Sequence, residues 1–180
     1  MRRTLRHRAL VALGLAAGCR AGEVGEGGGS RLQARWTGAD TAAVAAPATA
    51  EWCDSLRMLE VRAIAADTGV ALAIYPQGGI APGTYPVRPP ETARGAPPSV
   101  AIAVRWYSRT AVMGFQATSG ELSLRRAADG SFAGGFSAKA KGVNGGAGLT
   151  LTGSFEGLRA RPAARGCYAP PPPDTTAGVH

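Results

Sequence analysis

The side chains able to do chemistry are few, and their spacing works against most of it. Histidine occurs only at His7 and His180, so the middle of the chain carries no imidazole. That removes Ser/His/Asp and Cys/His activation of a nucleophile and nearly all zinc and copper sites. There is no Cys-x-x-Cys pair, no Gly-Lys-Ser/Thr loop to cradle a phosphate, no dinucleotide Gly-x-Gly-x-x-Gly and no Gly-x-Ser-x-Gly elbow. Asp40, Glu51, Asp54, Glu60 and Asp67 are spread too thinly for a calcium loop. Glu60, Glu91, Glu121 and Glu156 could serve as an acid and base pair, but they fall at turn-flanking or outward strand positions, where carboxylates are ordinarily just solvated. The expectation is a protein without cofactor, metal or catalytic residues.

The elements that would position any site read as strands. From Ser99 to Leu158 apolar residues recur at every second position, the period of strands lying over a core. Val100, Ile102, Val104 and Trp106 share one face; Ala111, Met113, Phe115 and Ala117 the next; then come Leu122 and Leu124, Phe132 to Ala138, and Leu149 to Phe155. Ser108-Arg109, Ser119-Gly120, Asp129-Gly130 and Asn144-Gly145 separate the runs, which predicts a meander of five antiparallel strands.

Upstream, Leu32, Ala34 and Trp36 alternate with polar residues in a half-buried strand, and Ala42 to Glu51 is ambiguous, with Pro47 against a long helix. Leu56 to Ala66 and Val70 to Tyr75 flank Asp67-Thr68-Gly69 as a hairpin. Pro76 to Pro98, rich in Pro and Gly and broken by a run at Thr84 to Val87, reads as a surface excursion in which Tyr85, Arg88 and Glu91 could touch a partner. The fold class is therefore all-β: one antiparallel barrel or sandwich of about eight strands ending in the meander.

The N-terminus has a basic run to Arg8, an apolar run from Ala9 to Ala17 and small residues before Cys19, the layout of a secretory signal. Leu15-Ala16-Ala17-Gly18-Cys19 resembles the lipobox of bacterial lipoproteins, with Leu15 one step earlier than the usual leucine. The resemblance implies acylation of Cys19 and a membrane anchor in the cell envelope, facing the periplasm or the outer surface. Ala16 and Gly18 would also suit an ordinary signal peptidase at the same bond. Cysteine arithmetic favours the lipid, because it leaves Cys53 and Cys167 to pair in an oxidising compartment. That bridge would close a loop of about 114 residues, worth about 4 to 5 kcal/mol in the chain-entropy model. The expected organisation is a signal over 1–18, a lipidated tether over 19–30 with an r.m.s. reach of about 18 Å, a β-rich domain over 31–167 and a Pro-rich tail over 168–180.

Four of the charges behind the formal +8 lie in the leader. The remaining basic pairs, Arg125-Arg126 and Arg159 with Arg161, are not interleaved with stacking aromatics, so no nucleic-acid partner is expected, and a mild attraction to acidic headgroups or anionic polysaccharide is the most they suggest. One constellation has two readings. Gly134 between Phe132 and Phe136, and Gly153 beside Phe155, could leave room in a barrel for a small apolar ligand lined by Trp106, Phe115, Phe132, Phe136 and Phe155, a plan similar to lipocalin-like barrels. The same glycines let a sheet coil, with aromatic neighbours filling over them, and this second reading carries more weight. The sequence thus points to a non-catalytic envelope lipoprotein that binds envelope proteins or cell-wall material through sheet edges or the Tyr85 loop. The ligand-carrying barrel stands second, and a carboxylate hydrolase last.

Overall fold

A computed structural model describes residues 29–163 apart from residue 109. The strands are β1 (Arg31–Gly38), β2 (Ala42–Cys53), β3 (Met58–Ala65), β4 (Thr68–Tyr75), β5 (Gly83–Pro86), β6 (Ser99–Tyr107), β7 (Val112–Arg126), β8 (Phe132–Gly142), β9 (Leu149–Leu158) and β10 (Arg161–Pro162), with one short helix, α1 (Pro90–Ala93). β1 pairs with β2 on one side and with β9 on the other. The ring β1-β2-β3-β4-β6-β7-β8-β9 therefore closes on itself as an eight-stranded, up-and-down antiparallel barrel. Closure decides barrel over sandwich.

Alternation supplies the core. Leu32, Ala34 and Trp36 of β1, Val61 and Ala63 of β3, Val70, Leu72 and Ile74 of β4, and Val100, Ile102 and Val104 of β6 all point inward and are buried. Closure also requires the strands to stagger. Ala42 to Pro47 of β2 pair with β1, whereas Ala48 to Cys53 pair with β3. Pro47 stands at the end of the first ladder with its ring exposed, so a strand forms over the segment that was ambiguous in sequence.

Three expectations need correction. The meander has four strands rather than five, because Ser119-Gly120 is not a turn: β7 runs through it with a register shift between Ala117 and Ser119 against β8. Gly120 takes φ 136°, and a Cβ there would sit 2.1 Å from the Ser137 carbonyl oxygen, so glycine at this place serves a bulge that bends the strand. The β3–β4 turn is Ala66-Asp67, with Ala66 at φ 50°, and Gly69 lies within β4. The Pro-rich excursion is also more than a surface loop. β6 pairs with β7 only from Ala103 to Tyr107, and β5 lies along the length of β7 that β6 leaves open, Gly83 to Pro86 against Glu121 to Leu124. Tyr85 and Val87 are buried there, and the Ser99 hydroxyl donates to the Ala93 carbonyl behind α1. By contrast, Asp129-Gly130 and Asn144-Gly145 are the turns their residues suggested, with Gly130 and Gly145 at φ 80° and 83°.

Because the strands alternate in direction, the barrel has two distinct ends. The β1–β2, β3–β4, β6–β7 and β8–β9 turns gather at one, the hairpin end. The start of β1, the β2–β3 turn, the excursion, the β7–β8 turn and β10 gather at the other, the terminal end.

Candidate functional site

The five aromatics that could have lined a ligand cavity all face the interior side of the barrel wall, but they fill it. At the hairpin end, Trp106 stacks on Trp36 at 5.3 Å between ring centroids and on Phe115 at 5.2 Å. Sequence reading placed Trp36 on an inward strand face without seeing that it completes this stack, since β1 and β6 meet only through the closed ring. Further down, β8 and β9 exchange aromatic for glycine: Gly134 pairs with Phe155 and Phe136 with Gly153. A Cβ on Gly153 would fall 2.3 Å from Phe136 Cζ, and one on Gly134 would fall 2.5 Å from Phe155 Cζ. Each ring lies over the opposite glycine, so the space is already taken.

Accessible area gives the same answer. Leu32, Val61, Leu72, Ile102, Ala117, Leu122 and Leu151 are all 0% exposed, so no void large enough for water lies beside them, while Phe115, Phe132, Phe136 and Phe155 keep only 3–5%. Among the described residues, Ser99, Ser131, the phenol of Tyr85 and the indole of Trp36 are the polar groups of the interior, and none of its side chains is a carboxylate, amine or imidazole. The indole Nε1 of Trp36 is buried without an acceptor, a cost of about 1–3 kcal/mol that the surrounding packing must offset.

On β1, β8 and β9 the outer wall is mostly polar, whereas on β2, β4 and β6 it is rich in alanine. Gln33 donates to Ser154 Oγ at 3.0 Å and Arg35 to Thr152 Oγ1 at 3.4 Å across β1 and β9, and Lys139 and Lys141 line β8. A barrel that crosses lipid has a polar lumen, whereas here the buried interior is apolar. Glu51 and Glu60 are cross-strand neighbours on this wall, and the Arg62 guanidinium grips both oxygens of the Glu60 carboxylate through Nε and Nη2. That hydrogen-bonded pair, with Glu51 nearby, raises the Arg62 pKa above its ordinary value. The two carboxylates thus sit on a convex surface and Glu60 is neutralised by a salt bridge. Glu91, Glu121 and Glu156 are exposed and lie on α1, β7 and β9. Among the described residues no group of His, Cys, Asp or Glu could hold a metal ion.

With the interior filled, surfaces remain. The large exposed apolar residues Ile64, Tyr107, Val112, Met113 and Val143 all belong to the hairpin end. Val143 leans on Gly114, whose Cβ would lie 3.4 Å from Val143 Cγ2, and with Val112 and Arg105 it borders an open depression of about 370 Å³. Tyr85 contributes nothing to the surface, contrary to the sequence expectation: it is buried, its hydroxyl donates to the Ala81 carbonyl at 2.7 Å, and burial pushes its phenol pKa up. Nor does the closed ring leave a long sheet edge for strand addition, since β10 is a two-residue edge and β5 a four-residue one.

At the terminal end, Cys53 is buried and engaged in a disulfide. β10 runs parallel to β2 with Arg161 beside Glu51 and Pro162 beside Trp52, and the Ala163 amide donates to the Trp52 carbonyl, so the chain is heading past Cys53 where the described residues stop. Cys19, Cys167, the leader, the tether up to residue 28 and the tail lie outside the described residues. No family model, no curated protein and no solved structure matches this chain.

Proposed function

We propose that this chain is a lipid-anchored protein of the bacterial cell envelope whose barrel is a non-catalytic scaffold, binding envelope components on its outside. The observation that carries the reading is the packed and almost entirely apolar interior, in which the Tyr85 hydroxyl is tied to the Ala81 carbonyl. Among the described residues it holds no carboxylate, amine or imidazole to move a proton, and its rings lie over the facing glycines, so recognition falls to the wall and the two ends. The disulfide at Cys53 supports an oxidising compartment, in line with the signal and the lipobox-like Leu15 to Cys19. β1 starts at the terminal end, so an anchor on Cys19 would hold that end toward the membrane and turn the apolar rim of Tyr107, Val112, Met113 and Val143 outward, toward an envelope partner.

The testing experiment is an intact mass of the protein taken from the membrane fraction, with and without reduction. The reading expects a chain beginning at Cys19 that carries the mass of its acyl groups and gains two hydrogens on reduction. A chain of the same start with no added mass, recovered from the soluble fraction, would refute the anchor.

A further inference from the structure

Two arginines from the separate basic pairs, Arg126 and Arg159, stand 33 positions apart in the chain and are brought to one place by the barrel. At the terminal end Arg126 of β7, Arg159 after β9 and Arg161 of β10 border a single open depression of about 640 Å³, with Trp52, Phe132 and Ile80 as its apolar walls. The guanidiniums are held in different ways. Arg126 lies over the Phe132 ring, 4.6 Å from its centroid. Arg159 reaches Asp129 Oδ2 at 2.6 Å and the Asp129 carbonyl at 3.2 Å.

The acids nearby are committed elsewhere or engaged. Asp54, on the rim, accepts from Trp52 Nε1 at 2.6 Å, and Asp129 is taken up by Arg159 and by the Ser131 hydroxyl and amide. Glu51 faces Arg161 only as its neighbour in the β10–β2 register. Among the described residues, Arg126 and Arg161 have no ion-pair partner, and their donors remain free for an anion.

We infer that this depression is a docking site for the phosphate of an anionic phospholipid headgroup, on the membrane that holds the chain. Guanidinium forks match phosphate oxygens in pairs, and a tryptophan with an aliphatic neighbour at the rim suits the headgroup layer. The occupant follows from where the chain enters the barrel. The Ser30 hydroxyl donates to the Gly157 carbonyl at 2.7 Å, two positions before Arg159, so the described chain begins beside these arginines. The inference rests on the lipid-anchor reading for its biological setting. On that reading the anchored lipid holds headgroups at high local concentration, so a weak site suffices.

The test uses the chain from residue 19 to its end with Cys19→Ser, so that no acyl group contributes, and phosphatidylcholine vesicles with and without phosphatidylglycerol. The inference expects binding that requires phosphatidylglycerol and weakens with salt. Arg126→Gln with Arg161→Gln should weaken it about 20–30-fold, at roughly fivefold per arginine, and these two changes leave the Arg159–Asp129 pair intact and lower the melting temperature by only a few degrees through the lost Arg126–Phe132 contact. Arg35→Gln with Lys139→Gln and Lys141→Gln removes charge from the wall away from the depression and should matter far less. An equal loss from both sets would show a diffuse charge effect and overturn the site. So would binding to plain phosphatidylcholine alone, or saturation of the site by inorganic phosphate at millimolar concentration, which would make it a soluble-anion site. Because the vesicle arm carries no lipid anchor, its failure and the failure of acylation in the intact-mass experiment are read independently.

Discussion

Gly153→Ala is the substitution that most directly tests whether the barrel is full. The added Cβ would meet two things: Phe136 Cζ at 2.3 Å and the Gln33 carbonyl oxygen at 2.6 Å. The ring can rotate away in part, but the carbonyl belongs to the β1–β9 ladder, where Ala34 pairs with Gly153, and it must move by about half an ångström at least. Overpacking of this kind costs about 1–3 kcal/mol, offset by about 0.4–1 kcal/mol from the lower entropy of the unfolded alanine chain. The expected net loss is about 1–2 kcal/mol. For a domain of this size that lowers the melting temperature by about 3–8 °C, followed by circular dichroism and by urea unfolding with an unchanged m-value. Phe136→Leu in the same background should recover only part of the loss, since the carbonyl contact survives. Phe136→Ala in the parent should cost about 3–5 kcal/mol, because Gly153 has no side chain to fall into the hole. Gly153→Ala with an unchanged melting temperature would mean slack inside the barrel, and would bring back the ligand-carrying reading that the packing argues against.

Other outcomes follow from single sites. Trp36→Phe should cost less than about 1.5 kcal/mol, since it removes a buried donor without an acceptor along with some packing, whereas Trp36→Ala should cost about 3–5 kcal/mol; thermal melts of the two variants measure the contrast. Ala66→Gly should stabilise by about 0.5–1 kcal/mol, because φ 50° strains an L-residue more than glycine's extra unfolded freedom costs; a lower melting temperature would contradict it. At Asp129, the Ser131 hydroxyl and amide, helped by Arg159, hold the carboxyl below its ordinary value of 3.8. Its folded pKa is therefore depressed, so its stabilisation is complete above that ordinary value and is lost as pH falls through the folded one. Ser131→Ala should raise the Asp129 pKa, seen by NMR titration, and move acid unfolding to higher pH.

How much of this was legible in the sequence varies with the range of the interaction. The alternation in β1, β3, β4 and β6 marked the inward residues correctly, because a strand's period is local and burial follows it. Ser119-Gly120 misled because glycine after serine reads alike in a hairpin and in a bulge; the difference is whether β8 continues alongside, which is a tertiary fact. Tyr85 misled similarly. Its Pro-rich setting suggests a surface loop, and only the departure of β6 from β7 creates the gap that β5 enters.

By itself the chain's order of residues determined an all-β body of about eight strands, the absence of imidazole from it, the two glycine–aromatic neighbourhoods and the basic pairs. All of these depend on residue type and on spacings of a few positions. Tertiary structure alone decided that the sheet closes, since β1 must find β9 more than a hundred residues away. Closure in turn set Phe136 and Phe155 over the facing glycines, left only short sheet edges and drew Arg126, Arg159 and Arg161 around one depression. The physical reason is the same in each case: which faces meet across a closed ring is fixed by strand stagger and packing, and neither is written in the period of any single strand.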